Sequence, residues 1–125
     1  MSTSLHDFAR QAVLNVGVTP RTITGNLNGA TGDLIAGDGR CFAVQQVGTI
    51  TGTGVSLAGK VQESADGTTW ADVADAVFAT VTTNDNVQAV TFSRTQRYVR
   101  YVGTVAGTSP GVPLAVIISE QRKQL

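Results

Sequence analysis

The chain has 125 residues, and its nine basic and nine acidic side chains give a formal net charge of zero at neutral pH. Charged residues make up only 14% of the sequence and apolar residues 42%, which suits one domain with a single core. The balanced charge excludes a bulk field that would recruit nucleic acid or an anionic membrane. It also removes electrostatic protection against self-association, so the composition favours a protein that packs against others.

Residues 1–20 are predicted to be an N-terminal segment, either a short helix or an extended arm. Apolar residues recur at helical spacing from Leu5 onward, which favours the helix. Phe8, Leu14 and Val16 suit instead an arm that docks on a partner. The segment lacks the basic and apolar regions of a signal peptide, and no apolar run approaches the ~20 residues of a membrane span. The sequence is compatible with both a short helix and an extended arm.

Residues 21–125 are predicted to be an all-β domain, an antiparallel β-sandwich or jelly roll of about eight or nine strands. Glycines divide short runs rich in Val, Thr, Ile and Phe, which is typical of many short strands. The predicted strands are 21–24, 32–35, 41–47, 54–63, 69–73, 77–82, 88–93, 98–105 and 113–120. Turn-forming residues predict loops between them at 47–55, at 82–87 and at 105–113, and a tight hairpin at Asp66-Gly67.

Few side chains in the sequence are able to carry catalysis. His6 is the only histidine and Cys41 the only cysteine, so neither a zinc cluster nor an internal disulfide is expected. Cys41 lies in the apolar run CFAV and is predicted to be a small buried residue. Asp66 and Asp72 are spaced unlike a calcium loop, and turn capping is their expected role. We predict no enzyme activity, no metal and no cofactor.

Aromatic residues provide the other candidate site. Trp70 follows the hairpin SADGTT and is predicted to be a core residue on the returning strand. In the run YVRYV, Tyr98 and Arg100 share one face of a strand while Tyr101 takes the other. Aromatic and Arg side chains in alternation can bind single-stranded nucleic acid or a sugar. The favoured interpretation is structural: one face of the strand is buried, and Arg stacks on Tyr at the other.

Two short motifs resemble known β-proteins. SADGTTW resembles the Asp-box of sialidases, one residue short between Asp66 and Gly67, and in that family the motif is a structural turn. DGTTW followed by RYVRYVG resembles discoidin-like, galactose-binding β-sandwiches, although the two cysteines common in those domains are missing. That resemblance implies a carbohydrate-binding module, with Trp70, Tyr98 or Tyr101 as a stacking platform, as the alternative function.

A broader resemblance covers most of residues 21–122. The order TITGNLNGATGDLIAGDGRCFAVQQVGTITGTG, VSLAGKVQESADGTTWADV, RYVRYVGTVAGTSP and PLAVIIS is similar to capsid decoration, or cement, proteins of tailed bacteriophages. The resemblance implies a non-enzymatic β-sandwich on the virion surface, assembled in the host cytoplasm. Its partners would be the major capsid protein and further copies of itself, with a trimer favoured, and not nucleic acid, membrane or small molecules. A tail or head-fibre component is a further possibility.

Apolar residues in the N-terminal segment and uncharged residues in the predicted loops are the candidate contacts with coat protein or neighbouring subunits. They are Phe8, Leu14, Val16, Ile50, Thr51, Thr108, Pro110 and Val112.

Overall fold

A computed structural model describes residues 12–34 and 37–122. These residues form eight strands: β1 (Ala12–Ile23), β2 (Leu27–Asn28), β3 (Gly32–Asp33), β4 (Gly37–Val47), β5 (Thr51–Ser64), β6 (Ala71–Val77), β7 (Asn86–Ser93) and β8 (Tyr98–Arg122). The described part contains no helix, and so none with the length and apolar character needed to cross a membrane. The predicted all-β class is confirmed.

The 25-residue strand β8 organises the whole sheet. It pairs along one edge with β1, β2 and β3, and along the other with β4 and β5, always antiparallel. β7 extends the sheet beyond β4, and β6 extends it beyond β5. The protein is therefore one antiparallel sheet built on its C-terminal strand.

The sheet curls strongly where β8 changes partners. We call β1, β4, β7 and β8 from Val112 onward half-sheet 1, and β2, β3, β5, β6 and β8 up to Gly111 half-sheet 2. Just before this change Gly107 has a φ of 118° and Ser109 a φ of 48°, a left-handed backbone that extended strands do not contain. The bend brings the inner faces of the half-sheets together.

The two inner faces enclose one core. Tyr101 of half-sheet 2 is fully buried, and its hydroxyl donates a 2.5 Å hydrogen bond to Gln45 Oε1 of half-sheet 1. Phe78 packs against the Tyr101 ring with centroids 6.1 Å apart. Alternate residues of the long strands fill the remainder: Val18, Cys41, Ala43, Val47, Leu57, Val61, Val73, Ala76, Phe92, Val99, Val112, Leu114, Val116 and Ile118.

Gly59 makes room for the Tyr101–Gln45 contact. A Cβ at Gly59 would lie 2.2 Å from Gln45 Oε1 and 2.3 Å from the Tyr101 hydroxyl oxygen. A Cβ does not approach nonbonded oxygen atoms so closely, so the hydrogen bond between the half-sheets depends on the absence of a side chain at this position.

Some strand boundaries differ from the prediction. Residues 105–113, predicted as a loop, lie inside β8, where the pairing with β5 continues as far as Gly111 and Val112 and Pro113 pair with β1. Residues 77–82 were predicted as a strand, but only Val77 belongs to β6. Residues 78–82 form a loop that contacts β5 through the bridge Leu57–Val81 and through the Phe78 amide, which donates to the Gly59 carbonyl at 2.9 Å. Residues 12–20, predicted as helix or arm, belong to β1 and are paired with β8. Residues 1–11 lie outside the described residues.

Candidate interaction surfaces

The outer face of half-sheet 1 carries most of the large apolar side chains that the described residues expose. Leu14 is 68% exposed, Val16 53%, Ile117 46% and Val87 63%. Strand register aligns them in three rows across the sheet, and we call this set the apolar face: Leu14–Ser119–Phe42–Thr91, Val16–Ile117–Val44–Ala89 and Ala115–Gln46–Val87. None of these side chains is charged, and exposed apolar side chains gathered in this way form a candidate interaction surface.

The apolar face exists because β8 is apolar on both sides. Leu114, Val116 and Ile118 point into the core, while Ala115 and Ile117 point outward. Strands with two apolar faces are normally covered on both. The predicted contacts Leu14 and Val16 lie on this face. Ile117 was not predicted, although the unbroken apolar run PLAVIIS was the signal for it.

A groove borders the apolar face at its Pro113 end. It has a volume of about 470 Å³, and Pro113, Ala115 and Val87 line it. Arg21 of β1 lies on one side and Asp85, directly before β7, on the other. Both residues are exposed, and within the described residues neither makes an ion pair. The groove therefore carries opposite charges on its two sides.

A second uncharged surface lies at the bend, which we call the tip and define by Ile50, Thr51, Thr108 and Pro110. Thr51 and Thr108 are exposed, whereas Ile50 and Pro110 are half-buried. The backbone amide of Ile50 donates to Asn84 Oδ1 at 2.9 Å, which holds the turn before β5. The four residues were predicted as contacts and are brought together here. Val112, predicted with them, has no exposed area and belongs to the core.

A groove beside the tip is lined by Ile50, Val55, Thr82 and Asn84 together with two glycines and a serine. Its volume is about 390 Å³, and none of the described residues that line it is charged. The tip and its groove thus offer hydrogen-bonding groups without charge.

Trp70 is a surface residue and not the predicted core anchor. It is half-buried directly before β6, and the Arg100 guanidinium carbon lies 4.5 Å from its ring centroid. Arg97 stacks likewise on Tyr98 at 5.1 Å, and Tyr101 is buried. A guanidinium therefore stacks on each of these two half-buried rings.

The hairpin SADGTT is a hydrogen-bonded turn. Asp66 Oδ1 accepts from the backbone amides of Thr68 at 2.8 Å and Thr69 at 3.0 Å, and from the Ser64 hydroxyl at 2.9 Å. These bonds, led by that from Thr69, lower the pKa of Asp66. Gly67 follows with a φ of 77°. The predicted tight turn is confirmed, and Asp66 Oδ1 accepts hydrogen bonds within it.

A buried ion pair closes the end of the sheet opposite the tip. Arg94 binds the carboxylate of Glu120, which also accepts the Gly39 amide at 3.0 Å and the Cys41 thiol at 3.4 Å. Burial, together with the charge of Glu120, raises the pKa of Cys41 to about 12. The thiol is therefore protonated and a poor nucleophile at neutral pH. Its predicted burial is confirmed.

Within residues 12–34 and 37–122, no three His, Cys, Asp or Glu side chains are grouped so as to hold a metal ion. His6 and the predicted contact Phe8 lie outside the described residues. Comparison with protein-family models and with curated proteins finds no match for this chain.

Proposed function

We propose that the protein is a non-enzymatic virion structural protein that binds the outer surface of a phage capsid and stabilises the coat lattice. The observation that carries the proposal is the uncharged apolar face, which gathers the predicted contacts Leu14 and Val16 with Ile117 and Val87. Such a surface is typical of a protein that functions in contact with other proteins. The resemblance to decoration proteins supplies the virion context, and in it the curled sheet corresponds to their β-sandwich or jelly roll.

We assign a different contact to each of the two uncharged surfaces, the tip and the apolar face. The tip, with Thr51 and Thr108 exposed, contacts the coat protein. The apolar face joins copies of the chain, for which the resemblance favours a trimer. The N-terminal segment with Phe8 is a third proposed contact and lies outside the described residues.

Stabilisation follows from mass action. A protein that binds the assembled lattice but not the free coat subunits shifts the equilibrium toward the lattice by an amount set by its affinity and concentration. Several linked copies that engage neighbouring coat subunits together gain avidity over one copy. Neither effect requires a catalytic group.

Co-sedimentation tests the proposal. Purified protein is mixed with expanded capsids assembled from the coat protein encoded in the same genome, and we expect saturable binding and a higher melting temperature of the capsid. If the protein stays in the supernatant, the proposal is wrong. Retention on mannan or galactose resins with no capsid binding would instead support the carbohydrate-binding alternative.

Variants locate the coat contact. Thr51→Lys combined with Thr108→Lys should weaken capsid binding about tenfold or more, because each buries an unpaired charge. Thr68→Lys, at an exposed threonine in the hairpin far from the tip, is the matched control and should bind normally. Equal binding by both would exclude the tip. Removing residues 1–11 tests the N-terminal segment and leaves all of β1 in place.

A further inference from the structure

We infer that the free edge of β7 pairs with β7 of a second copy of this chain, antiparallel and about a two-fold axis perpendicular to the sheet. Half-sheet 1 then continues from one copy into the other. The contact goes beyond the proposed function, because it requires no capsid. It is made by backbone groups at the edge of half-sheet 1 and not by the apolar face.

β7 has a neighbouring strand on one side only. Among the described residues it pairs with β4 alone, at the end of the strand order. This pairing runs over eight consecutive residues without a register shift, so the edge is continuous. The strand, Asn86–Ser93, contains no charged residue and no proline. A long, uncharged edge strand of this kind is a template for pairing with another chain.

The other edge strands of the described sheet have features that oppose such pairing. β1 contains Pro20 and shifts register twice against β8. β6 carries Asp72 and Asp75 and has an irregular register against β5. β2 and β3 are two residues long. Proline, charge, irregularity and shortness all protect sheet edges from pairing, and β7 has none of them.

Two hydrogen bonds near the ends of β4 show which backbone groups of β7 face the free edge. The Arg94 amide donates to the Gly39 carbonyl at 3.0 Å, and the Gly48 amide donates to the Pro113 carbonyl at 3.0 Å. In an antiparallel ladder, successive residues direct their backbone groups to opposite sides. Counted from either bond, the even-numbered residues of β7 bond β4. The residues that face the free edge are Val87, Ala89, Thr91 and Ser93.

Two copies of this edge satisfy each other completely in one register. With Val90 opposite Val90 of the other copy, Ala89 lies opposite Thr91, and Val87 lies opposite Ser93. All four edge residues of each copy then exchange amide and carbonyl bonds. Any other register that keeps this bonding leaves at least one of them without a partner. Because the edge is its own complement, we name a second copy as its partner and not a foreign peptide.

The side chains beside this ladder are compatible with it. Val90 is half-buried and meets its own symmetry mate, a β-branched pair that suits neighbouring strands. Gln88 bonds both backbone groups of Ala79 at 2.9 Å through its side-chain amide, which leaves from the inner face and not from the edge. Because the net charge of each copy is zero, no overall repulsion opposes the contact.

The symmetry of the contact limits it to two copies. A strand that pairs with itself forms an isologous interface, whereas a ring of three needs a heterologous one. The β7 pairing therefore links copies in twos and adds to whatever contact builds a trimer. It places the same face of both copies on the same side, so four strands from each copy form one sheet.

Amide hydrogen exchange of the full chain, followed by NMR over a concentration series, tests the pairing. We expect the amides of the four edge residues to gain about tenfold or more in protection as the concentration rises. The amides between them should be protected throughout, because they bond β4. Edge amides that exchange as fast as unpaired loop amides at the highest concentration overturn the inference. Protection in a chain that is monomeric by light scattering also overturns it, because an intramolecular segment then covers the edge.

A proline variant removes one bond of the edge. Thr91→Pro lacks an amide that faces the free edge and keeps the ladder with β4, so it should halve the number of chains per particle in sedimentation. Leu14→Lys is the control, because it places a charge on the apolar face at the opposite edge of half-sheet 1 and should leave the β7 pairing intact. Pairing that is lost in Leu14→Lys and kept in Thr91→Pro overturns the inference.

A cysteine variant tests the register without relying on the folding of a proline variant. In Val90→Cys the two new thiols lie opposite each other at a position without hydrogen bonds, where Cα atoms are about 4.5 Å apart, within reach of a disulfide. Glutathione disulfide accepts the two electrons and two protons of the thiols, and the product should be a covalent dimer of about 26 kDa, twice the 13.0 kDa of one chain.

Val77→Cys is the matched control, because Val77 is 57% exposed on the edge strand β6 and should not cross-link. Cross-linking of both variants to the same extent, or of neither, overturns the inference. None of these measurements involves a capsid, so a failure of the proposed function leaves their results unchanged.

Discussion

Arg94 and Glu120 form an ion pair from which water is almost excluded, since their side chains are 12% and 0% exposed. Besides Glu120, the Arg94 guanidinium donates to the backbone carbonyls of Leu34 and Gln96. The pair thus joins β8 to the segment before β4 and to the segment after β7. A buried charge is tolerable only with such complete coordination.

Arg94→Met should lower the free energy of unfolding by about 3–5 kcal/mol, because it leaves the Glu120 carboxylate buried without a counter-charge. Arg97→Met is the control, since Arg97 pairs with Asp33 in the open, with side chains 46% and 41% exposed. We expect a much smaller loss for that solvent-exposed pair. Unfolding in guanidinium chloride, followed by circular dichroism, measures the free energy of unfolding of both variants. Equal losses would mean that burial of the Arg94 pair has no energetic weight.

Gly59→Ala should destabilise the protein by about 1–3 kcal/mol, because its Cβ would collide with the side chains of Gln45 and Tyr101. Gly25→Ala is the control, because a Cβ at Gly25 meets no atom within 4 Å. The midpoint of urea unfolding gives the comparison. A Gly59→Ala variant as stable as the Gly25→Ala variant would show that the core yields easily around Tyr101.

The Cys41 thiol should resist alkylation by iodoacetamide at pH 8 in the folded protein and react once the chain is unfolded. Burial favours the neutral thiol, so its contribution to stability is complete below the ordinary pKa of 9.0 and is lost as the pH rises to about 12. Burial raises the pKa of Tyr101 as well, which acts in the same direction from pH 10 upward.

Unfolding at pH 7, 9.5 and 11 separates these contributions. The free energy of unfolding should fall less between pH 9.5 and pH 11 in Cys41→Ala than in the unchanged protein. Parallel losses in the two proteins would exclude a role for the thiol.

Arg100→Ala should uncover the Trp70 ring, so that fluorescence emission shifts to the red and acrylamide quenches it more strongly. The cause is the loss of the guanidinium that stacks 4.5 Å from the ring centroid. Arg97→Ala, which removes the equivalent stack on Tyr98, should leave the Trp70 emission unchanged. Added monosaccharides should have no effect on the unchanged protein. A shift of the Trp70 emission on addition of sugar would instead support the carbohydrate-binding alternative.

The sequence predicts the strand-rich class well because alternation and glycine spacing are local properties. It predicts a loop at residues 105–113, which carry loop-forming Gly, Ser and Pro, although β8 runs through them and its pairing with β5 continues through part of them. Long-range pairing overrides local preference there. Trp70 was misassigned for a related reason. Its apolar character favours the core, but its place at the end of the turn sets it on the outer surface beside Arg100.

The candidate surface was predictable only in part. Leu14 and Val16 were predicted as contacts because they are apolar residues in a segment that was expected to be a short helix or an extended arm. Val87 and Ala89 join them only through register across four strands, which no local pattern contains.

β8 follows all of its partner strands in the sequence, and this order has a consequence for biosynthesis. Among the described residues β1, β2 and β3 pair only with β8, and β4 and β5 also pair with it, so all of these pairings wait until β8 has left the ribosome. Before that moment only the pairings of β4 with β7 and of β5 with β6 can form. The nascent chain exposes unpaired edges that invite aggregation. A chain that stops before Tyr98, and so lacks β8, should therefore be insoluble, and a ribosome-bound holdase should raise the soluble yield of the full chain.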